Sequence, residues 1–567
     1  MTLGASFQIG RSALAAYQAA IAISGQNIAN VGNVNYTRQS GRLSALFGGT
    51  LIGGVKPGSG VRIDALQRHF DSAIEDRLRV SLGGRSASQT VYDNLSRVES
   101  LYNELTDQDL STRLGELFSA FGGLQAEPSE STARDNIIAA ADSLINTIRR
   151  QREGLLDQID GLNEQAGVAA RRVGEIANEI GRLNEMIVRE EADGRTLASP
   201  LRDNRDALLR DLAELVNVTV REQPNGTVNV YTGSDPLVEF NRVRQFTSEI
   251  ERVDGIEIVQ IRYADDGSIV RIGEGEFGGI LTARDTHLRD QLEKLDELTA
   301  GIIYEVNKIH STGVGTVGYS TMASAYAVSD PDVALSNANL PFPLNNGSFI
   351  VNVRDKATGQ VITRQIDVDL DGLNGDDTTL NDLAAALDAV PGLNASVGAD
   401  NLIRISGDTG NEFWFSEDSS SALAALGLGG LFTGQTASDI EVNSLVRNDP
   451  RLIASSLTGA EGDGDNAGLL SKLADPSKVS VMLGNRTIQD FQRLIVTDLA
   501  VETASAQAAY DANDSTYQAL IAQREAISGV SLDEEALNLA RFEQAYQGAA
   551  RYLSTVNQLS DEILALL

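Results

Sequence analysis

Several residue patterns in this chain could carry chemistry, and the first is glycine-rich. Residues 313–318 fit G-x-G-x-x-G, a fingerprint that needs a strand before it and a helix after it to direct backbone N–H groups at a pyrophosphate. Here a helix is predicted before the stretch, and an irregular Ser/Ala-rich segment follows it. We therefore expect a flexible entry to a domain and not a nucleotide site.

Metal and catalytic patterns are equally incomplete. The three histidines, His69, His287 and His310, are scattered, no pair has metal-ligand spacing, and each is expected at a helix surface or boundary. Residues 369–377 and 461–466 cluster the oxygen ligands that Ca²⁺ prefers, but both lack the closing glutamate of a complete loop. Solvated acidic turns are favoured, with calcium binding as the alternative. No G-x-S-x-G, Walker A or His-Glu-x-x-His motif occurs, so we expect no catalytic residue, metal or cofactor, and no enzyme.

Composition narrows the class of protein further. The 567 residues should form several domains, and 42% hydrophobic with 22% charged residues is typical of a globular chain. The net charge of −33 repels phosphate backbones, which argues against a nucleic-acid partner. The chain has no cysteine, which excludes disulfides, thiolate metal sites and cysteine nucleophiles. No signal peptide or membrane-length apolar run is found, so no membrane insertion is expected, and on this evidence alone the protein would be cytoplasmic.

The two ends of the chain carry heptad patterns, in which apolar or small residues recur every 3.5 positions and face a partner helix. The N-terminal pattern comprises Phe7, Leu14, Ile21 and Ile28 in one position and Tyr17, Ser24 and Val31 in the other. The C-terminal pattern comprises Leu539, Tyr546 and Leu553 in one position and Phe542, Ala549, Val556 and Ile563 in the other. Such seams pair within one molecule or between molecules, and the patterns leave both alternatives open.

The middle of the chain changes its period several times. Helices are predicted near 63–81, 132–191, 278–310 and 481–528, and the second of them carries an apolar stripe from Ala141 to Ile187. Hairpins are predicted near 216–231, around an Asn-Gly turn at 225–226, and near 256–272, and a β-rich segment is predicted from 311 to 434. The fold class is therefore mainly α with β insertions, with long coiled-coil helices from both termini. We expect three domains: a terminal coiled-coil assembly domain (1–40 with 530–567), a helical rod domain with β-hairpins near 216–275 (41–310 with 440–529), and an inserted β-rich outer domain (311–439).

The two ends also carry a family resemblance. Residues 12–30, followed by Asn-Tyr-Thr-Arg-Gln at 35–39, are similar to the N-terminal signature of bacterial flagellar rod, hook and hook-associated axial proteins, and residues 529–547 resemble the matching C-terminal signature. One departure is Asn35, where the family usually has glycine, and asparagine tolerates the same left-handed backbone. Internal stretches at 201–230, 277–285, 431–443 and 464–468 resemble the junction proteins of this family.

The resemblance implies a structural, non-catalytic subunit that joins hook to filament in the flagellum and serves motility. Its expected partners are copies of itself in a ring-like polymer, the hook protein, a second hook–filament junction protein and an export chaperone at the C-terminal helix. It also implies type III export without a cleaved signal peptide, which gives a secreted, extracellular protein. The expected assembly interface is Phe7, Leu14, Tyr17, Ile21, Asn27, Ile28, Asn30, Leu539, Phe542, Tyr546, Ala549, Leu553, Val556 and Ile563. A secreted enzyme or adhesin that uses the β-rich segment, and a hook or filament subunit, are the alternatives.

Overall fold

The structure, a computed structural model, describes residues 3–47, 58–102, 109–192, 197–253, 255–373 and 375–565. The helices in these residues are α1 (Leu3–Ala29), α2 (Ser72–Tyr102), α3 (Leu110–Ala126), α4 (Ser131–Glu190), α5 (Ser199–Leu215), α6 (Gly275–Thr282), α7 (Arg289–His310), α8 (Leu380–Asp388), α9 (Ala422–Leu426), α10 (Ser444–Asn448), α11 (Asp465–Ser471), α12 (Ile488–Ser528) and α13 (Leu532–Ala565). A π-helical segment, Ala283–Leu288, joins α6 to α7.

The strands form small antiparallel sheets. They are β1 (Gln39–Ala45), β2 (Val61–Arg68), β3 (Thr219–Glu222), β4 (Val228–Thr232), β5 (Asp235–Glu239), β6 (Arg242–Val243), β7 (Phe246–Val253), β8 (Ile256–Tyr263), β9 (Thr321–Ala323), β10 (Gly347–Asp355), β11 (Val361–Val368), β12 (Leu393–Val397), β13 (Ile403–Gly407), β14 (Asn411–Ser416), β15 (Phe432–Thr433) and β16 (Glu441–Val442). Their order within the sheets is β1-β2, β3-β4-β5-β6, β7-β8, β11-β10-β14, β12-β13-β9 and β15-β16. The fold class predicted from the sequence is confirmed.

The chain divides into two compact units. The first unit comprises Met1–Asn94, Asp160–Arg284 and Ala504–Leu567, and the second comprises Leu95–Ile159 and Asp285–Thr503. The 60-residue helix α4 contributes to both, and its predicted apolar stripe is buried along its whole length. A stripe of this kind commits one face of the helix to packing in every turn.

In the first unit a buried polar contact fixes the β3–β4 hairpin. The turn contains Gly226 at φ 83°, a left-handed conformation that suits the predicted Asn-Gly turn. Arg205, from α5, donates hydrogen bonds to the Gly226 carbonyl (2.7 Å) and to Asn184 Oδ1 (3.1 Å). Asn184, from α4, donates to the carbonyls of Val228 (2.9 Å) and Phe240 (2.7 Å).

In the second unit, residues between 319 and 428 share one hydrophobic core. Phe349, Phe413 and Phe415 lie in its centre, with Phe349 and Phe415 edge to face at 5.5 Å. Trp414, on the other face of β14, is buried but is not part of this core. Helix α8 covers the core and begins at a capping box between Thr379 and Asp382. The region predicted as the outer domain thus has a core of its own.

Two predictions of secondary structure are wrong. The helix predicted over 63–81 begins only at Ser72, because residues 61–68 form β2 and pair with β1. The hairpin predicted over 256–272 instead pairs β8 with the preceding strand β7, and only the bridge between Arg262 and Ile269 remains of the predicted pairing. In both cases the pairing depends on a strand that the sequence did not predict, β1 in the first and β7 in the second.

Candidate assembly interface

Helices α1 and α13, from opposite ends of the chain, pack against each other. They approach each other closely at Gly10, where a Cβ atom would lie 2.5 Å from Cδ1 of Leu553 and 3.3 Å from the ring of Tyr552. Glycine and alanine in α1 therefore let the larger side chains of α13 approach its backbone. The pairing of the two ends, which the fold class required, is present within a single chain.

The pairing uses only one side of α1. Its buried residues are Gly10, Ala16, Ala20, Ser24 and Asn27. The hairpin of β1 and β2 also contacts α1, and Ser12 Oγ accepts a hydrogen bond from the Val61 N–H at 3.2 Å. The opposite side is exposed and comprises Gly4, Gln8, Arg11, Ala15, Gln18, Ala19, Ala22, Gly25, Gln26 and Ala29. Five buried residues in a 27-residue helix, fewer than one per turn, are a small contribution to a core.

The predicted interface residues fall into three groups. Asn27 and Val556 are buried within the chain. Those that are half-buried are Phe7, Leu14, Tyr17, Ile21, Ile28, Asn30, Leu539, Phe542, Ala549 and Leu553. Tyr546 and Ile563 are exposed, at 36% and 46% of their surface. Much of the predicted set thus lies on sides of the helices that are partly covered in the single chain, and its role in assembly stays a prediction.

Asn27 has a structural role at the end of α1. Its Oδ1 accepts hydrogen bonds from the Tyr36 hydroxyl at 2.7 Å and from the Gln39 N–H at 3.1 Å, and its Nδ2 donates to the Gln39 carbonyl at 2.8 Å. These bonds fold residues 30–39 back against the helix. Burial and the negative charges of Asp203 and Glu535 raise the pKa of Tyr36 to about 12. The phenol therefore stays protonated and donates to Asn27.

The same segment is tied to the start of α13. The Arg38 N–H donates to the Ser528 carbonyl at 2.9 Å, and the Arg38 guanidinium lies 2.6 Å from the Glu534 carboxylate. The spacing of Ser531 and Glu534 predicts a capping box, but the Glu534 side chain pairs with Arg38. These contacts join the turn after α1 to the turn between α12 and α13.

A buried carboxylate, Glu75 at the start of α2, organises this joint, which we define as residues 27–39 with 524–535. Arg524 donates to Glu75 Oε1 at 2.6 Å and to the Val34 carbonyl at 2.8 Å. Arg210 donates to Glu75 Oε2 at 3.2 Å and to Asn35 Oδ1 at 2.8 Å. Sequence reasoning missed Glu75, because a single acidic residue in a predicted helix is ordinarily exposed on the protein surface.

A second buried ion cluster holds Thr37. Arg68 donates to Asp203 at 2.5 Å and to Asp206 at 2.7 Å, and all three side chains are about a tenth exposed or less. The Thr37 N–H faces Asp203 at 3.5 Å. Burial raises the pKa of Asp203, although Arg68 and Thr37 oppose that shift. The signature Asn-Tyr-Thr-Arg-Gln therefore makes contacts inside the molecule.

The glycine-rich stretch at 313–318 has no nucleotide geometry. It follows α7 directly, and the N–H groups of Val314 and Thr316 donate to the carbonyls of Ser456 (2.8 Å) and Arg451 (2.9 Å). Gly315 lies so close to the Arg451 carbonyl that a side chain would not fit. These contacts fix the segment in place, so the prediction of a flexible domain entry is wrong.

The histidines lie apart, and each has its own partner. His69 follows β2 and lies 3.0 Å from Ser40 Oγ, while His287, in the π-helical segment, lies 2.8 Å from Glu502. His310 ends α7, as predicted for a helix boundary, but it is completely buried. Its Nδ1–H donates to the Gly429 carbonyl at 2.8 Å, and its Nε2 accepts from the Ala454 N–H at 3.1 Å.

The acidic stretches form turns held by their own carboxylates. Asp369, Asp371 and Asp377 lie close enough to share a cation, but Asp371 and Asp377 accept hydrogen bonds from the N–H groups of Leu373 (2.7 Å) and Gly372 (2.9 Å). Asp463 accepts from the Ser456 hydroxyl at 2.6 Å. Partial burial acts to raise the pKa of Asp463, but hydrogen bonds from Ser456, Asp465 and Thr458 outweigh this effect and lower that pKa.

A groove of about 790 Å³ lies in the second unit, between the β12-β13-β9 sheet and α10. Its charged groups are already engaged: Arg404 pairs with Asp400 at 2.5 Å, and Asp388 accepts from the Ala395 N–H at 3.0 Å. Hydroxyl and amide groups line much of the rest. The arrangement offers no nucleophile with an adjacent base, so the enzyme alternative gains no support.

Comparison with known proteins gives consistent findings. Residues 95–322 match the family model described as the flagellar hook-associated protein FlgK helical domain. The flagellar hook-associated protein 1 of Salmonella typhimurium is 27% identical to this chain and that of Escherichia coli 26%, and each alignment covers 98% of both chains. The same protein of Bacillus subtilis is 22% identical over 98% of this chain and 97% of its own.

A solved structure supports the fold. The flagellar hook junction protein FlgK from Burkholderia pseudomallei aligns with a TM-score of 0.50 and 14% identity, over 80% of this chain and 100% of that chain. In the part of the chain that the structure describes, no helix has the length and apolar character needed to cross a membrane.

These findings show the class of protein: the chain is a non-enzymatic structural protein of the extracellular bacterial flagellum. It associates there with other flagellar components. Within that class, residues 95–322 match the FlgK helical domain, and the chain as a whole is similar to the flagellar hook-associated protein 1 of the relatives named above. The resemblance found in the sequence is confirmed.

Proposed function

We propose that this chain joins the hook to the filament by polymerising through α1 and α13 into a ring-like homo-oligomer. One side of the ring would contact the hook protein, and the other would contact a second hook–filament junction protein. Support comes from the similarity to hook-associated protein 1 relatives along nearly the whole chain. The proposal also retains the three-part division into a terminal assembly domain, a helical rod domain and an inserted outer domain over 311–439.

The observation that carries this proposal is the incomplete burial of the paired ends. Helices of 27 and 34 residues pair, yet one side of α1 and part of α13 remain exposed, including Leu537 at 72% and Leu559 at 51%. Burying such side chains against a neighbour gains roughly 25 cal/mol per Å² of apolar surface. Assembly would therefore complete the packing that one chain leaves unfinished.

Export follows the same logic. We propose that the chain leaves the cell through the flagellar type III channel without a cleaved signal peptide, and that a chaperone covers α13 beforehand. The exposed apolar residues of α13 would otherwise associate before export. The net charge of −33 would help to keep the free chain soluble.

Truncation tests the proposal. Removing residues 1–24 or 544–567, in a strain without its own copy of the chain, keeps Asn27, Arg38 and Glu534 in place. We expect loss of incorporation and motility, with circular dichroism showing that the remaining chain is folded. Immunogold labelling should place the full-length chain in a thin band at the distal edge of the hook. Incorporation of a folded truncated chain would refute the proposal.

A further inference from the structure

Helix α13 carries a second apolar stripe beside the one that faces α1. The stripe toward α1 contains Leu539, Phe542, Ala549, Leu553 and Val556, which are half-buried or buried. The second stripe contains Leu537, Tyr552, Leu559 and Ile563, with 72%, 39%, 51% and 46% of their surface exposed. At 3.6 residues per turn the two stripes lie about 100° apart around the helix. Tyr552, which also contacts Gly10 of α1, lies at the border between the two stripes, and the second stripe continues the α1–α13 interface onto a side of α13 that is largely exposed among the described residues.

We propose that this second stripe binds the exposed side of α1 from a neighbouring copy of the chain. The inference rests on the proposed polymerisation and adds which surfaces meet. It also differs from the interface predicted from the heptads, since of the four residues only Ile563 belongs to that set. Each α1 would then contact one α13 within its own chain and one from the neighbour.

Side-chain size supports this partner. The exposed side of α1 presents no large apolar side chain. Its small residues are Gly4, Ala15, Ala19, Ala22, Gly25 and Ala29, and its polar residues are Gln8, Arg11, Gln18 and Gln26. Small residues let a second helix approach closely, so that its large side chains fill the spaces between them. Within one chain the same relation already holds, because Leu553 and Tyr552 of α13 lie against Gly10 of α1.

The charges of the two helices favour α1 of the neighbouring copy as the partner over the other candidate, α13 of that copy. Helix α13 contains six acidic and two basic residues: Asp533, Glu534, Glu535, Glu543, Asp561, Glu562, Arg541 and Arg551. Helix α1 has no acidic residue, and its single charged residue, Arg11, lies on the exposed side. Two copies of α13 would repel each other, while α1 of the neighbour brings a positive charge toward an acidic helix.

Cross-linking in isolated flagella tests the contact, because the chain contains no cysteine of its own. Leu559→Cys is combined with Ala15→Cys or Ala22→Cys, each in the full chain, and Ser554→Cys, on a different exposed side of α13, is the matched control. We expect disulfide-linked oligomers with Leu559→Cys and several-fold less product with Ser554→Cys. Equal yields of oligomer from the Leu559→Cys and Ser554→Cys pairs would overturn the proposal. So would disulfide-linked dimers formed when Leu559→Cys is the only cysteine in the chain, because that link would join two copies of α13.

A charge variant supplies the functional test. We expect the double variant Leu559→Glu with Ile563→Glu to lose at least tenfold in incorporation, as measured by immunogold counts, while Ser554→Glu with Gln558→Glu incorporates normally. Normal incorporation of the first variant would refute the role of the stripe and leave the junction function intact. Failure of the full wild-type chain to incorporate would instead refute the proposed function itself.

Discussion

The core between residues 319 and 428 and the α1–α13 pair finish their packing in different ways. In that core Phe349, Phe413 and Phe415 have 1% or less of their surface exposed. In the helix pair, α1 buries mainly glycine, alanine and serine, and α13 leaves large apolar residues exposed. The first region is therefore complete within one chain, while the second has packing left to gain from a neighbour. Stability measurements on the free chain should show this difference.

The largest loss of stability is expected from a substitution in the core between residues 319 and 428. Phe413→Ala should lower the unfolding free energy by about 3–5 kcal/mol, because it opens a cavity among buried side chains. The chain has one tryptophan, the adjacent Trp414, so its fluorescence during urea unfolding reports on this region. The matched variant Phe542→Ala, on half-buried α13, should cost about 1 kcal/mol by circular dichroism. Equal costs would remove the distinction between the two regions.

The next largest loss of stability is expected from a substitution at the joint of residues 27–39 with 524–535. Glu75→Gln should destabilise the chain by about 3 kcal/mol, since it leaves the buried guanidinium of Arg524 without its counter-charge. Thermal unfolding followed by circular dichroism measures the loss. The control, Glu534→Gln, removes a carboxylate that is 64% exposed and should have little effect. A small loss for Glu75→Gln would mean that the joint does not depend on this carboxylate.

Acid should weaken the second unit through His310. Burial lowers the pKa of His310 to about 4, and the neighbouring guanidinium of Arg134 also lowers it. A pKa below the ordinary value of about 6.5 means that the stabilisation is complete above pH 6.5 and is lost as the pH falls toward 4. At pH 5 the loss should be about 2 kcal/mol relative to pH 7.

Denaturation at several pH values, followed by Trp414 fluorescence, measures this dependence. The comparison is His310→Gln, whose side chain does not titrate, with His69→Gln as a control that keeps His310. We expect the wild-type chain and His69→Gln to lose more stability between pH 7 and pH 5 than His310→Gln does. Parallel pH profiles for all three chains would contradict the assignment.

The smallest effect is expected at Tyr36. Tyr36→Phe removes the hydroxyl that donates to Asn27 Oδ1 and should cost about 1 kcal/mol, because the Gln39 N–H still donates to that oxygen. Circular dichroism measures this cost, and Tyr231→Phe, in the half-buried middle of β4, is a suitable comparison. An effect of 3 kcal/mol or more would show that the end of α1 contributes more to the free chain than its burial indicates.

The long periodic elements could be predicted from the sequence because their signal is local. The apolar stripe of α4 and the Asn-Gly turn of the β3–β4 hairpin follow directly from residue spacing and turn chemistry, and both occur as predicted. The heptads at the two ends likewise predict helices that need a partner. For these elements the preference of a short stretch and its place in the fold agree.

Tertiary structure decided what short-range spacing could not. The segment at 61–68 has helical spacing, yet it forms β2 because β1 supplies a strand partner. Glu75, Arg210 and Arg524 are far apart in sequence and acquire a joint role only when α2, α5 and α12 bring them together.

The sequence by itself therefore determined the class of fold, the helical ends that need a partner and the family resemblance, since these depend on periodicity and on recognisable stretches. The tertiary structure decided which side of each terminal helix is already covered. A heptad marks the positions that can pack against a partner helix, but which of them are buried depends on the tertiary packing. Here much of the predicted seam is already partly buried within the chain.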